Sequence, residues 1–277
     1  MEHIDVVVVG AGISGIGAAY NLKTRCPQKT YTILEGRSNL GGTWDLFKYP
    51  GIRSDSDMHT MGFKFKPWRS PKTIADAPSI LEYLNETVDE FDLRKKIQFN
   101  KKVISAVWSS PDALWYLKVE DQENNSVEEM TCNILYLCGG YYNYDEGYTP
   151  VFKNVEAFEG EIIHPQKWPE ELDYSDKKVV VIGSGATAVT IVPAMSEKVK
   201  HITMLQRSPT YYFAAPDEDK IGNFIKKFTT DRLGYFLVRW KNILMQRFML
   251  NRLRRNPEKT KEMLINHVRL SLIHISE

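Results

Sequence analysis

Ile4-Asp5-Val6-Val7-Val8-Val9-Gly10-Ala11-Gly12-Ile13-Ser14-Gly15 is the stretch that decides the fold. The β-branched run 4–9 reads as a strand buried on both faces, as in a parallel sheet. A G-x-G-x-x-G follows it directly. Gly10 allows a tight turn, Gly12 lets backbone approach a pyrophosphate, and Gly15 lets helix and strand pack closely. The helix that starts here offers free N–H groups and a positive dipole end to phosphate. Residues 30–34 read as the next strand, and Glu35 stands 20 residues after Gly15. An acid there accepts from a ribose 2′-hydroxyl and repels a 2′-phosphate. The first site is therefore expected to hold the ADP part of FAD or NAD.

The same pattern recurs further along. Residues 177–182 repeat the strand, and Gly183-Ser184-Gly185-Ala186-Thr187-Ala188 is a G-x-G-x-x-A. The strand 201–205 then ends in Gln206-Arg207 instead of an acid. A guanidinium pairs with phosphate in two-point geometry, so Arg207 selects NADP(H); its alternative is a solvated surface charge. Two such openings predict an α/β chain with two dinucleotide-binding (Rossmann-like) domains: 1–140, a Tyr/Pro/Gly-rich connector 141–176, and 177–277 with a helical insertion. Residues 36–76 read as a long irregular region, of the kind that carries function. Residues 77–91 read as a helix, 97–119 as alternating strands, and 134–137 as a buried strand ending in Cys138-Gly139-Gly140.

Residues 221–255 read as helical, with Leu233, Leu237, Trp240, Leu244 and Phe248 on one apolar stripe. Residues 220–270 hold 13 Lys and Arg against 3 Asp and Glu, leaving 23 against 32 elsewhere. The favoured reading packs this stripe on the protein itself; the alternative lays the basic helices on a membrane surface.

Composition excludes several classes. Of 277 residues, 43% are hydrophobic and 26% charged, which rules out a disordered or fibrous chain. No run approaches the ~18 apolar residues of a membrane span. Cys26, Cys132 and Cys138 form no CxxC and no zinc spacing, so neither a metal site nor a dithiol centre is expected. With no basic signal region at Met1–Asp5, this points to a reducing, cytoplasmic setting. No nucleic-acid partner is expected.

Phe158-Glu159-Gly160-Glu161-Ile162-Ile163-His164-Pro165-Gln166-Lys167-Trp168-Pro169 fits F-x-G-x-x-x-H-x-x-x-W-P. With Gly41-Gly42-Thr43-Trp44, Tyr49-Pro50-Gly51 and Arg53-Ser54-Asp55, the chain resembles the type I Baeyer–Villiger monooxygenases, in particular the ethionamide-activating branch. The resemblance spans about residues 1–270. It implies a flavoprotein that uses FAD, NADPH and O2 to convert ketones to esters, or to oxidise thioether or thiocarbonyl sulfur, through a C4a-peroxyflavin.

In that scheme Gly10, Gly12, Ser14 and Gly15 hold the FAD pyrophosphate and Glu35 the ribose. Thr43, Trp44, Asp45 and Leu46 line the flavin, and Val103 meets the adenine through its backbone. Asp55 is the catalytic candidate, orienting an arginine beside the flavin, while Arg53 and Ser54 lie by the nicotinamide. Gly183 to Ala188, Gln206 and Arg207 hold NADPH. Phe158, Gly160, His164 and Trp168 form the connector fingerprint. The bland readings are a turn cap for Asp55, a satisfied linker histidine for His164 and a core aromatic for Trp44. The substrate implied is a small apolar carbonyl or sulfur compound.

The resemblance also implies a chain nearly twice as long, with a later strand completing the first domain and a loop carrying the catalytic arginine. None of Arg252, Arg254, Arg255 or Arg269 has a matching context, and residues 269–277 do not resemble the family's continuation. The alternatives are a flavin monooxygenase acting on nitrogen or sulfur, which the fingerprint disfavours, and a nucleotide-binding fragment without catalysis.

Overall fold

The computed structural model describes residues 1–208 and 216–272. In chain order the elements are β1 (Glu2–Val9), α1 (Ile13–Arg25), β2 (Tyr31–Leu34), α2 (Thr43–Leu46), α3 (Met58–Met61), α4 (Ala77–Glu90), β3 (Ile97–Gln98), β4 (Lys101–Ser109), β5 (Leu114–Asp121) and β6 (Ser126–Leu137). They continue with β7 (Lys178–Ile182), α5 (Ala186–Ser196), β8 (His201–Leu205), α6 (Lys220–Lys227), α7 (Asp231–Arg255) and α8 (Pro257–Leu272). Residues 209–215 and 273–277, with His274 and part of the 269–277 tail, lie outside the described residues.

The chain divides into two units: residues 1–49 with 77–170, and residues 50–76 with 171–277. Residues 50–76 cluster with the second unit, so neither unit is contiguous in sequence. A Cβ at Gly51 would lie 2.6 Å from Ala194 Cβ and 3.0 Å from the Thr190 carbonyl oxygen. The bare glycine, at φ +75°, is what lets this loop lie on α5. The connector 141–176 is likewise divided, at residue 170.

The first unit is a six-stranded sheet in the order β3-β2-β1-β6-β5-β4. β1 is parallel to β2 and β6, and β6 continues into an antiparallel meander with β5 and β4. Val7 and Val8 in β1 and Ile33 in β2 are fully buried, as their continuous apolar run requires. Ile4, Val7, Leu34, Leu117, Val119, Met130 and Cys132 share one core cluster. Ile80, Leu84 and Val88 of α4 are also fully buried.

In the second unit the described strands form a two-stranded parallel sheet, β7-β8. The expected helix 221–255 is two helices: α6 ends at Lys227, and α7 restarts after Thr230, whose extended backbone (φ −68°, ψ 153°) breaks the run. The apolar stripe of α7 is a second correction. The face it buries is Gly234, Tyr235, Val238 and Asn242, and Leu233, Leu237, Trp240, Leu244 and Phe248 lie on the opposite side, 40–62% exposed.

Candidate nucleotide-binding sites

The first loop is built by backbone crowding. Gly10 sits at φ +102°, and a Cβ there would be 2.6 Å from the Cys138 carbonyl oxygen. At Gly15 a Cβ would fall 1.9 Å from the Gly10 carbonyl oxygen, so only hydrogen fits where α1 crosses β1. Gly12 caps α1 without a side-chain bond, and Ser14 is exposed on the first turn. That leaves a helix end whose N–H groups no side chain has taken, which is what a pyrophosphate needs.

Glu35 follows β2 and is buried at 5% exposure. Its two carboxylate oxygens accept from Ala11 N at 2.7 Å and Arg37 N at 3.0 Å. A carboxylate has about four acceptor positions, so two remain for sugar hydroxyls. The bonds also aim the acid beside the loop. Lys101 N donates to the Glu35 carbonyl at 2.9 Å, which brings the start of β4, and Val103 two residues on, to this end of the sheet. Val103 packs its side chain against the core cluster.

Opposite the first loop stands Gly41-Gly42, at φ +118° and +55°. A Cβ on Gly42 would be 3.2 Å from Gly12 Cα and 3.4 Å from the Tyr144 hydroxyl. The two glycine loops therefore face one another without side chains between them, a cradle that fits a dinucleotide. Thr43–Leu46 form α2 beside it, with Trp44 half-buried and Asp45 buried. Arg37 pairs with Asp45 at 2.6 Å, donates to the Gly42 carbonyl at 3.4 Å, and lies over the Tyr144 ring. Sequence reasoning passed over Arg37; its signal was a cation two residues past the acidic ribose position. Burial pushes the Tyr144 hydroxyl pKa up.

The fingerprint residues belong to the first unit. His164 caps the 3-10 turn Pro165–Lys167, its Nδ1 accepting from Gln166 N at 3.2 Å. Gln166 is buried and donates to the Asn143 carbonyl at 2.5 Å. A Cβ on Gly147 would lie 2.0 Å from the imidazole Cε1, so the ring needs a bare backbone there. Trp168 is half-buried, and Phe158 is exposed beside Gly160, where a Cβ would meet the Phe158 ring at 2.6 Å. His164 thus orders the segment after β6.

In the second unit the Gly183 amide donates to the Leu205 carbonyl at 2.9 Å, the same bond that the Gly10 amide makes to Leu34 at 2.8 Å. That equivalence aligns the two openings: Gly12 with Gly185, Gly15 with the buried Ala188, Glu35 with Gln206, and Gly36 with Arg207. Gly183 stands at φ +133°, and among the described residues a Cβ at Gly183 or Gly185 would meet nothing within 4 Å. Gly185 caps α5 without a side-chain bond, followed by Ala186 and Thr187; Ser184 lies between the two glycines. Where the first loop has a carboxylate, the second has a neutral amide followed by the exposed Arg207. The residues fit a 2′-phosphorylated nucleotide.

Arg53 and Asp76 form an antiparallel bridge, and Ser54 is buried at 2% exposure. The Ser54 hydroxyl donates to the Ser56 carbonyl at 2.8 Å and accepts from Ser56 N at 3.0 Å, so it closes a turn. Asp57 caps α3 through Thr60 N at 3.0 Å. The turn and cap are thus made by Ser54 and Asp57, and Asp55 between them is exposed. No group of three or more His, Cys, Asp or Glu suited to a metal occurs among the described residues.

The chain matches the family described as FMO-like, flavin-binding monooxygenase-like, over residues 4–273. It is 50% identical over 272 residues to the FAD-containing monooxygenase EthA of Mycobacterium tuberculosis, covering 98% of this chain and 55% of that protein. It is 49% identical to the probable FAD-binding monooxygenase AlmA of Acinetobacter baylyi, covering 98% and 54%. Among solved structures it resembles an oxidised steroid monooxygenase bound to NADP, with TM-score 0.70, 30% identity, and 84% and 43% of the two chains covered. It also resembles cyclohexanone monooxygenase bound to ε-caprolactone, with TM-score 0.68, 30% identity, and 78% and 42% covered. The chain spans about half the length of the curated relatives it matches. Two glycine loops of opposite charge preference and the match across nearly every residue lead to one conclusion: the chain belongs to the flavin-binding monooxygenase-like family.

Proposed function

We propose that this protein binds FAD at the Gly10–Gly15 loop and NADPH at the Gly183–Ala188 loop, and serves a monooxygenase reaction on ketones or on thioether and thiocarbonyl sulfur. The observation that carries the reading is the reversal of charge between equivalent positions, Glu35 in one loop and Gln206-Arg207 in the other. When bound, FAD supplies the oxygen-transfer chemistry and NADPH the hydride.

The chain's own residues bind and orient. Gly12 and the uncapped end of α1 receive the pyrophosphate, with Ser14 on the first turn. Glu35 accepts from the ribose hydroxyls, and the backbone at Val103 borders the adenine. Arg37 fixes α2, and with it Thr43, Trp44, Asp45 and Leu46 along the flavin. Gln206 removes the repulsion that an acid would exert on a 2′-phosphate, and Arg207 pairs with it. Asp55, with its carboxylate in solvent, positions a cation near the reacting atoms, and Arg53 borders the nicotinamide. A cation there stabilises developing negative charge. His164 acts as a positioning residue.

The test is oxygen uptake driven by NADPH, with product analysis on a ketone and a thioether. Ester or sulfoxide formation with NADPH, and little with NADH, supports the reading. N-oxidation of an amine, with neither ester nor sulfoxide formed, would move the protein to the related amine-oxidising class. A second reading, nucleotide binding without turnover, is favoured by Val180 and Ile182 of β7, each 60% exposed. Retained FAD and tight NADPH binding with no oxygen uptake would select it.

A further inference from the structure

Residues 143–147, soon after β6, are held at both ends by the fingerprint segment. The Gln166 side chain donates to the Asn143 carbonyl at 2.5 Å, and Asn143 Oδ1 accepts from Asp145 N at 3.1 Å. At the other end the His164 ring leaves no room for a Cβ on Gly147. His164 Nδ1 in turn accepts from Gln166 N at 3.2 Å. The stretch is therefore a short strap whose path two neighbouring fingerprint residues set.

The strap crosses the first opening. On one edge Asp145 pairs with Lys102 of β4 at 3.3 Å, and the Lys102 side chain packs beside Gly36, the residue after Glu35. That pair is exposed and adds little energy, but it marks where the strap lies. On the other edge the Tyr144 ring lies over the Arg37 guanidinium, 5.9 Å from it to the ring centroid. The point that a Gly42 Cβ would occupy is 3.2 Å from Gly12 Cα and 3.4 Å from the Tyr144 hydroxyl oxygen. The hydroxyl and the first glycine loop thus flank one gap, narrow enough for a single phosphate group to touch both.

The chemistry of the gap calls for a donor. Arg37 is already committed: it pairs with Asp45 at 2.6 Å and donates to the Gly42 and Asp45 carbonyls, each at 3.4 Å. Burial, with the Glu35 carboxylate nearby, raises the Tyr144 pKa, so the phenol keeps its proton and stays an O–H donor at neutral pH. A hydrogen bond from such a donor to a charged phosphate oxygen is stronger than one between neutral groups.

We propose that Tyr144 is a flavin-nucleotide residue whose hydroxyl donates to the FAD pyrophosphate beside Gly12, and that Gln166 is a positioning residue acting through it. The proposal rests on the reading that the first loop holds FAD. It gives the fingerprint segment a task inside the first unit, which is to lay Tyr144 across the cradle.

The experiment is equilibrium titration of FAD into the flavin-free 277-residue chain, read by flavin fluorescence, with phosphorus NMR of the bound FAD. Tyr144→Phe keeps the ring on Arg37 and removes the donor. It should weaken FAD binding about tenfold and move the bound pyrophosphate resonances, with the thermal melt of the flavin-free chain unchanged. Gln166→Ala should weaken binding about threefold, and the double variant should bind no more weakly than Tyr144→Phe alone. Tyr148→Phe, at an 87% exposed tyrosine of the same segment, should change nothing. Unchanged affinity and unmoved resonances in Tyr144→Phe, in a chain that binds FAD, overturn the proposal and leave the FAD site standing. A double variant weakened by the product of the two single effects overturns the positioning role of Gln166. A wild-type chain that takes up no FAD overturns the reading of the loop, and the proposal with it.

Discussion

The two nucleotide openings share one backbone plan and differ in how tightly they are closed. In the first, a Cβ at Gly15 would sit 1.9 Å from the Gly10 carbonyl oxygen, and Gly10 itself presses on Cys138. In the second, the equivalent of Gly15 is Ala188, buried at 6% exposure, and among the described residues a Cβ on Gly183 or Gly185 would meet nothing within 4 Å. The first loop is therefore sealed by its own sheet and by the Gly41-Gly42 loop opposite. Among the described residues the second rests on a two-stranded sheet. On the proposed reading the residue after the second strand sets the nucleotide: a buried, doubly bonded Glu35 would exclude a 2′-phosphate, and Gln206 followed by Arg207 would admit one.

This contrast can be broken by exchanging the small residues. Gly15→Ala should cost more than about 3 kcal/mol, because backbone on both sides must shift, and should abolish flavin retention. Ala188→Gly should cost only about 1 kcal/mol, from helix propensity and the lost methyl, and should leave nucleotide binding in place. Thermal melts and flavin absorbance after desalting separate the two. Equal effects would mean that the loops are closed alike.

The charge half of the contrast is sharpened at Arg207. Arg207→Gln should weaken NADPH binding by about 10- to 100-fold, the loss of one charge-assisted phosphate contact, with NADH affinity nearly unchanged. Fluorescence titration with both nucleotides reads this directly. If both affinities fall together, Arg207 supports the loop and does not select the nucleotide.

A third difference lies in what each unit buries. In the first, both carboxylate oxygens of the buried Glu35 accept from backbone N–H groups. In the second, His59 has no exposed surface and neither ring nitrogen has a partner. Burial, reinforced by Lys226, depresses its pKa from 6.5 to about 4, against the pull of Asp57 and Asp219. The folded state binds fewer protons than the unfolded one between those values, so stability falls as pH drops from about 6.5 to 4 and is unaffected by this group above 6.5. His59→Phe keeps the edge-on packing against Tyr235, removes two unbonded nitrogens and should raise stability by about 1 kcal/mol at pH 7, and by more at pH 5. A pH series of denaturant melts on both proteins checks the sign; a larger acid loss in the variant would refute it.

The smallest effect is expected at Val103. Its role toward the adenine is through backbone, so Val103→Ala should cost about 1 kcal/mol in stability and leave flavin affinity within about twofold.

Much of the first unit was legible because its signals are local. β1, β2, α1 and α4 fall within a few residues of expectation, whereas β6 starts at Ser126 and not 134, and Ile134, Tyr136 and Leu137, expected to be buried, are 52–74% exposed. The grouping of 50–76 with the second unit was not legible. It depends on Gly51 meeting Thr190 and Ala194, far along the chain. The stripe on α7 was visible as a pattern, but periodicity cannot say which face is inward. Tyr235, Arg239 and Asn242 decide that through bonds to residues 57–63, and they turn the apolar side out. Arg37 was missed because a cation beside an acid reads as an ordinary surface pair until Gly42 and Asp45 are seen to converge on it.

The central claim is that the first opening is a closed flavin-nucleotide site whose integrity rests on Gly15. The most direct measurement is the visible spectrum of the purified chain after incubation with FAD and desalting, for the wild-type protein, Gly15→Ala and Ala188→Gly. The account predicts flavin bands retained at one FAD per chain in the wild-type protein and in Ala188→Gly, and lost in Gly15→Ala. A colourless wild-type protein, or flavin held equally well by Gly15→Ala, would contradict it.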